Sequence, residues 1–144
     1  VGSKALMDWV IDASMAAALG LPDERSAVAD SFLAGLSESV QLWVPALFWF
    51  EITNVFVIAH RRGRVTEAVA RSLLGQYGGL PLRTDPMPPE ATVAATQSVA
   101  MLHELSAYDA AYLELAERRG VGLATLDTPL HRAARSAGVN VFGR

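Results

Sequence analysis

Leu6-Met7-Asp8-Trp9-Val10-Ile11 runs directly into Asp12-Ala13-Ser14. The first six residues are rich in strand formers, and small helix-compatible residues take over at Ala13. The pattern predicts a buried strand that turns at Asp12 into a helix over 13–19. The same plan recurs near the other end of the chain. Val121-Gly122-Leu123-Ala124-Thr125-Leu126 ends at Asp127, and Pro129 opens a helix to Ala137. Both strands are short apolar runs rather than alternating patterns, which implies burial on both faces and a parallel sheet between helices.

Working outward, Asp23-Glu24 enrich the first turn of a helix to about Ser37, with Val28, Phe32 and Leu36 on one face. Leu42–Val44 is a strand, and Pro45 opens a helix from Ala46 to about Arg62. Trp49, Phe56 and Val57 make that helix apolar nearly all round, so one side is expected at an interface. Further helices are expected from Val65 to Tyr77, Glu90 to His103 and Ala107 to Arg119, and further strands at Leu80–Arg83 and Val139–Phe142. The expectation is one α/β domain over residues 5–143, a parallel sheet of about five strands flanked by helices. Residues 1–4 are expected to lie outside it, as a remnant or a disordered N-terminal end.

Composition narrows the function. The 144 residues are 51% hydrophobic and 19% charged, which excludes a disordered tail. No cysteine is present, which removes thiol catalysis, Cys-ligated zinc and disulfide frameworks. No apolar run reaches the roughly 18 residues needed to cross a bilayer, so a cytoplasmic protein without membrane contact is expected. The net charge of −3 argues, at face value, against a nucleic-acid partner.

In parallel α/β folds the site lies beyond the carboxyl ends of the strands. Four acids from distant segments are expected on that rim: Asp12 and Asp127 after their strands, Glu51 in the helix following Leu42–Val44, and Asp109 in the first turn of its helix. Asp12 and Asp127 have a second reading as helix caps, and Ser106 to Asp109 form a capping box. Glu51 is harder to explain structurally, because Phe48, Trp49, Phe50 and Ile52 surround it and no Lys or Arg stands at helical spacing. Clustered carboxylates stay ionised together only around a cation, and oxygen ligands select hard ions such as Mg²⁺ or Mn²⁺. Such an ion activates water and neutralises a phosphodiester, so metal-assisted phosphodiester hydrolysis is the expected reaction class. Asn54, one turn from Glu51, and the hydroxyls Ser14 and Thr125, beside Asp12 and Asp127, are candidates for orienting the ligands.

Val10-Ile11-Asp12-Ala13-Ser14, Phe50-Glu51-Ile52-Thr53-Asn54, Leu105-Ser106-Ala107-Tyr108-Asp109-Ala110 and Ala124-Thr125-Leu126-Asp127, in this order, resemble the PIN domain, specifically VapC-type toxins. The resemblance spans about Leu6 to Phe142. It implies a Mg²⁺- or Mn²⁺-dependent endoribonuclease whose four acidic ligands are Asp12, Glu51, Asp109 and Asp127. It also implies a homodimer, neutralised by a cognate VapB-type antitoxin that inserts a peptide into the active-site groove. A further acid found shortly after the fourth in some members is absent here, where Thr128-Pro129-Leu130 follow Asp127. With RNA as substrate, Arg132 and Arg135, in the helix after Asp127, are candidate phosphate contacts. Arg118-Arg119, at a helix end on the opposite edge, are expected to serve the helix dipole instead.

Two other small α/β classes fail on their required residues. A receiver domain needs paired acids after the first strand and a lysine near the last, but Asp12 is followed by Ala13 and the only lysine is Lys4. A haloacid-dehalogenase-type phosphatase needs Asp-x-Asp, and the position two after Asp12 is Ser14. The remaining alternatives are a PIN fold that binds without cutting and a housekeeping PIN nuclease. Setting aside the four site acids turns the net charge from −3 to +1, so the acidity no longer argues against an RNA substrate.

Overall fold

The computed structural model describes residues 7–24 and 26–143. The expected N-terminal remnant, and the first residues of the expected domain, lie outside the described residues. Five strands form one parallel sheet: β1 (Trp9–Ile11), β2 (Leu42–Val44), β3 (Leu82–Thr84), β4 (Gly122–Thr125) and β5 (Val141–Gly143), in the order β3-β2-β1-β4-β5. The helices are α1 (Ala13–Gly20), α2 (Ala27–Ala34), α3 (Leu47–Arg61), α4 (Glu67–Gly75), α5 (Val93–His103), α6 (Ala107–Arg119) and α7 (Thr128–Ser136). None of the described helices is long and apolar enough to cross a membrane.

The α/β expectation holds, with shorter strands and one divided helix. Pro22–Glu24 forms a separate 3₁₀ turn instead of opening a helix to Ser37. Ser26 then starts α2, its hydroxyl accepting from the backbone N–H of Val28 and Ala29, and α2 ends at Ala34. Likewise Gln76–Gly79 closes the α4 segment as a 3₁₀ turn. Tyr77 in that turn donates its hydroxyl to the carbonyl of Ala16 at 2.6 Å, tying the α4 end to α1.

The central strand decides where a site can form. Val10 of β1 pairs with Trp43 of β2 on one side and Leu123 of β4 on the other. Connections leave β1 in one direction towards β2 and β3, while β4 and β5 add on the other side. The β1/β4 boundary is therefore the switch point of the sheet, whose carboxyl edge leaves a crevice. Both strands are buried throughout, so their ends are rigidly placed. Gly122 lies opposite Trp9, and a Cβ there would stand 2.5 Å from the Trp9 ring, so the close fit of β4 to β1 requires glycine. The Trp9 ring meets Phe32 and Phe142 edge-on, closing the core under α2 and β5.

Candidate active site

Asp12 begins where β1 stops. Its backbone is extended, and its Oδ1 accepts from the N–H of Met15 at 3.0 Å, so the capping reading is realised. Capping uses only part of this carboxylate. Ser14 Oγ donates to the same Oδ1 at 2.7 Å, and Thr125 Oγ1 donates to Oδ2 at 2.5 Å. Each hydroxyl also accepts a backbone N–H, Ser14 from across the switch point and Thr125 from within its own turn. Leu126 N–H donates to Ser14 at 2.9 Å, and Asp127 N–H donates to Thr125 at 2.9 Å. A hydroxyl has one proton, so both protons are committed to Asp12. The turn after β1 and the turn after β4 are thereby stapled through a single carboxylate.

Asp12 is only 5% exposed. Burial pushes its carboxyl up to about 6, and the nearby charge of Asp127 adds to the rise. The hydrogen bonds from Thr125, Met15 and Ser14 oppose it. Asp127 is half-buried and caps α7, its Oδ2 accepting from Leu130 N–H at 3.0 Å. Asp109 sits in the first turn of α6, where Ser106 accepts its backbone N–H. Its carboxyl is also raised, by burial and then by the charges of Asp127 and Glu51. These effects link Asp12 to Asp127, and Asp109 to both Asp127 and Glu51.

Glu51 takes its partner from another element. Tyr112, one turn after Asp109 on α6, donates its hydroxyl to Glu51 Oε1 at 2.6 Å and is 1% exposed. Burial, the bond to Glu51 and the charges of Glu51, Asp12 and Asp109 push this phenol far above its ordinary value, so it remains a donor. Sequence reasoning passed over Tyr112, although its i, i+3 relation to Asp109 marks the same helix face. Asn54 is exposed on α3 and makes no hydrogen bond to Glu51 in this arrangement.

The basic residues divide sharply. Arg64 pairs with Asp23 at 2.7 Å and Glu24 at 2.9 Å. Arg118 and Arg119 hold the buried Asp85 at 2.6 and 3.1 Å, Arg118 also holds Glu114, and Arg119 lies 3.5 Å over the Trp43 ring. These two arginines, expected to serve the helix dipole, instead form a structural ion network with the loop after β3, while Gly120 closes the helix end. Arg132 and Arg135 are exposed on α7. Arg135 lies eight residues beyond Asp127, about 12 Å of helical rise from the rim, so Arg132 is the nearer of the two.

The donor set consists of carboxylate oxygens, which suits a hard divalent cation. A deeply buried Asp12 with the Asp127 charge nearby, and Asp109 raised in turn by Asp127 and Glu51, fits such an ion electrostatically. Among the described residues, no three His, Asp or Glu side chains stand together as a formed metal cage.

The sequence model of the family described as PIN domain matches residues 9–136. Ribonuclease VapC3 of Pyrobaculum aerophilum is 32% identical over 124 residues, which cover 86% of this chain and 92% of that protein. The crystal structure of PAE2754 from Pyrobaculum aerophilum superposes with a TM-score of 0.70 at 27% identity, covering 98% of this chain and 93% of that one. Mycobacterium tuberculosis VapC20, described as a sarcin-ricin loop cleaving toxin, shares the fold with a TM-score of 0.66 at 18% identity, covering 92% of this chain and 96% of that one. With a five-stranded parallel sheet and these similarities along nearly all its length, the chain belongs to the PIN-domain family and, within it, to the VapC branch.

Proposed function

We propose that this chain is a metal-dependent endoribonuclease toxin that hydrolyses RNA phosphodiester bonds in the cytoplasm. The observation that carries the reading is the run of pairwise electrostatic effects from Asp12 through Asp127 and Asp109 to Glu51 beside the β1/β4 switch point, with Asp12 held by two hydroxyls. These four residues would hold Mg²⁺ or Mn²⁺, which when bound supplies a water of lowered pKa and offsets charge on the phosphodiester.

The chain's own residues do the positioning. Ser14 and Thr125 both donate to Asp12, so they favour its ionised form and fix the plane of the carboxylate. Tyr112 occupies Oε1 of Glu51, which leaves Oε2 for a ligand. Asp127 spends Oδ2 on the α7 cap and keeps Oδ1. Arg132, and more remotely Arg135, are available to RNA phosphates outside the acidic centre. A cognate VapB-type antitoxin that covers the groove and a homodimeric assembly complete the proposal.

Purified protein freed of any antitoxin should cleave single-stranded regions of RNA with Mg²⁺ or Mn²⁺ and stop in excess EDTA. Asp12→Asn and Asp109→Asn should each abolish cleavage while the chain stays folded by circular dichroism. Cleavage that survives in either folded variant, or in EDTA, overturns the mechanism. RNA binding without any cleavage by the wild type favours the non-cutting alternative.

A further inference from the structure

Two large rings stand in water beside the acidic centre. Phe50 immediately precedes Glu51 on α3 and is 79% exposed, and Tyr108 immediately precedes Asp109 on α6 and is 65% exposed. Neither enters a ring–ring contact among the described residues. Tyr108 lies four residues before Tyr112, hence one turn nearer the N-terminus of α6 on the same stripe. The Tyr112–Glu51 hydrogen bond joins α3 to α6, the two helices that carry the exposed rings. Other aromatics of α3 are already used: Phe48 and Phe56 are buried, and Trp49 donates its indole N–H to Thr84 at 2.8 Å.

We propose that Phe50 and Tyr108 are stacking platforms for nucleobases on either side of the phosphate to be cut. This inference rests on the ribonuclease reading above and names how that site takes its substrate. Base–aromatic stacking tolerates any sequence, because every base has a flat face. Single-stranded RNA offers flat bases to both rings while its phosphates remain in the solvated acidic centre. The exposed apolar pair Met101 and Leu102 on α5, each 76% exposed, is the more ordinary protein-contact surface.

The test uses the intact chain, a short single-stranded RNA of randomised sequence, and Mg²⁺ or Mn²⁺. Phe50→Ala and Tyr108→Ala should each raise KM about ten-fold, with kcat little changed and the melting temperature unmoved. Phe50→Trp and Tyr108→Phe should restore KM, whereas Phe50→Leu, which keeps apolar bulk without a ring face, should not. The inference is overturned by wild-type KM in the alanine variants, or by rescue with leucine. It is also overturned if the alanine variants cleave normally but change from dimer to monomer, because the rings then belong to a protein contact. A wild type that neither cuts nor binds the RNA removes the ribonuclease reading as well, whereas wild-type cleavage with unaffected alanine variants removes only the stacking role.

Discussion

Thr125→Val tests the staple at the switch point with almost no change of shape. In the native chain the Thr125 hydroxyl donates to Asp12 at 2.5 Å and accepts from Asp127 N–H at 2.9 Å, and the residue is fully buried. Valine removes a charge-assisted bond that contributes about 1.5–3 kcal/mol. It also leaves the half-buried Asp127 N–H unpaired, at a cost of about 1 kcal/mol. The sum is about 3 kcal/mol, a large part of the 5–15 kcal/mol typical of a domain. For a chain of this size that lowers the melting temperature by roughly 10 °C.

The sign with pH follows from Asp12. Its folded value is raised to about 6, so its contribution to stability is greatest below the unfolded value of 3.8 and is lost as pH rises through 6. The bond removed by valine helps the charged form, so the stability gap between wild type and Thr125→Val should widen from pH 5 to pH 8. The carboxyl itself should move further up, carrying the acid limb of RNA cleavage to higher pH. Urea unfolding at both pH values, with cleavage rates across the same range, measures each effect. A variant as stable as wild type at pH 8, with an unmoved acid limb, refutes the assigned role of the hydroxyl.

Tyr112→Phe removes only the hydroxyl that holds Glu51, and should lower kcat/KM about ten-fold or more while circular dichroism stays native. Asp85→Asn breaks the pairing with Arg118 and Arg119, and partial exposure of the arginines limits the loss to about 2 kcal/mol at pH 7 by urea unfolding. Burial alone would raise the Asp85 carboxyl, but the hydrogen bonds from Arg118 and Arg119 prevail and hold it low. Its contribution is therefore present above 3.8 and lost as pH falls further, so the gap between wild type and Asp85→Asn should close in acid. RNA cleavage by the folded Asp85→Asn protein should match wild type, since Asp85 lies outside the acidic centre.

What could be read from the residues alone followed from local signals. Asp12 and Asp127 stand directly after apolar runs, and strand ends in a parallel sheet define a rim, so the placement of these acids needed no tertiary knowledge. The strands came out shorter than the apolar runs, because residues such as Leu126 belong to the turns that shape the site. Ser26 is a helix-start signal, and its two accepted N–H groups explain why the expected helix to Ser37 divides. The partners of Arg118 and Glu51 were not legible. Asp85 is 33 residues from Arg118 and Tyr112 is 61 from Glu51, and only the packing of α6 against its neighbours brings them together. Apolar character on all sides of α3 likewise could not separate the buried Phe56 from the exposed Phe50.

The staple at Asp12 also orders events in time. Its two ends, Ser14 and Thr125, are 111 residues apart, and the strand that supplies Thr125 is inserted beside the first strand of the chain. Domains generally fold as units during synthesis, and such long-range pairing forms late because its loop-closure cost precedes its reward. A nascent chain that has not yet released β4 therefore carries Asp12, Glu51 and Asp109 without the strand that orients the first of them. If the chain is the nuclease proposed above, its acidic centre is complete only once β4, at residues 122–125 of 144, has joined the sheet.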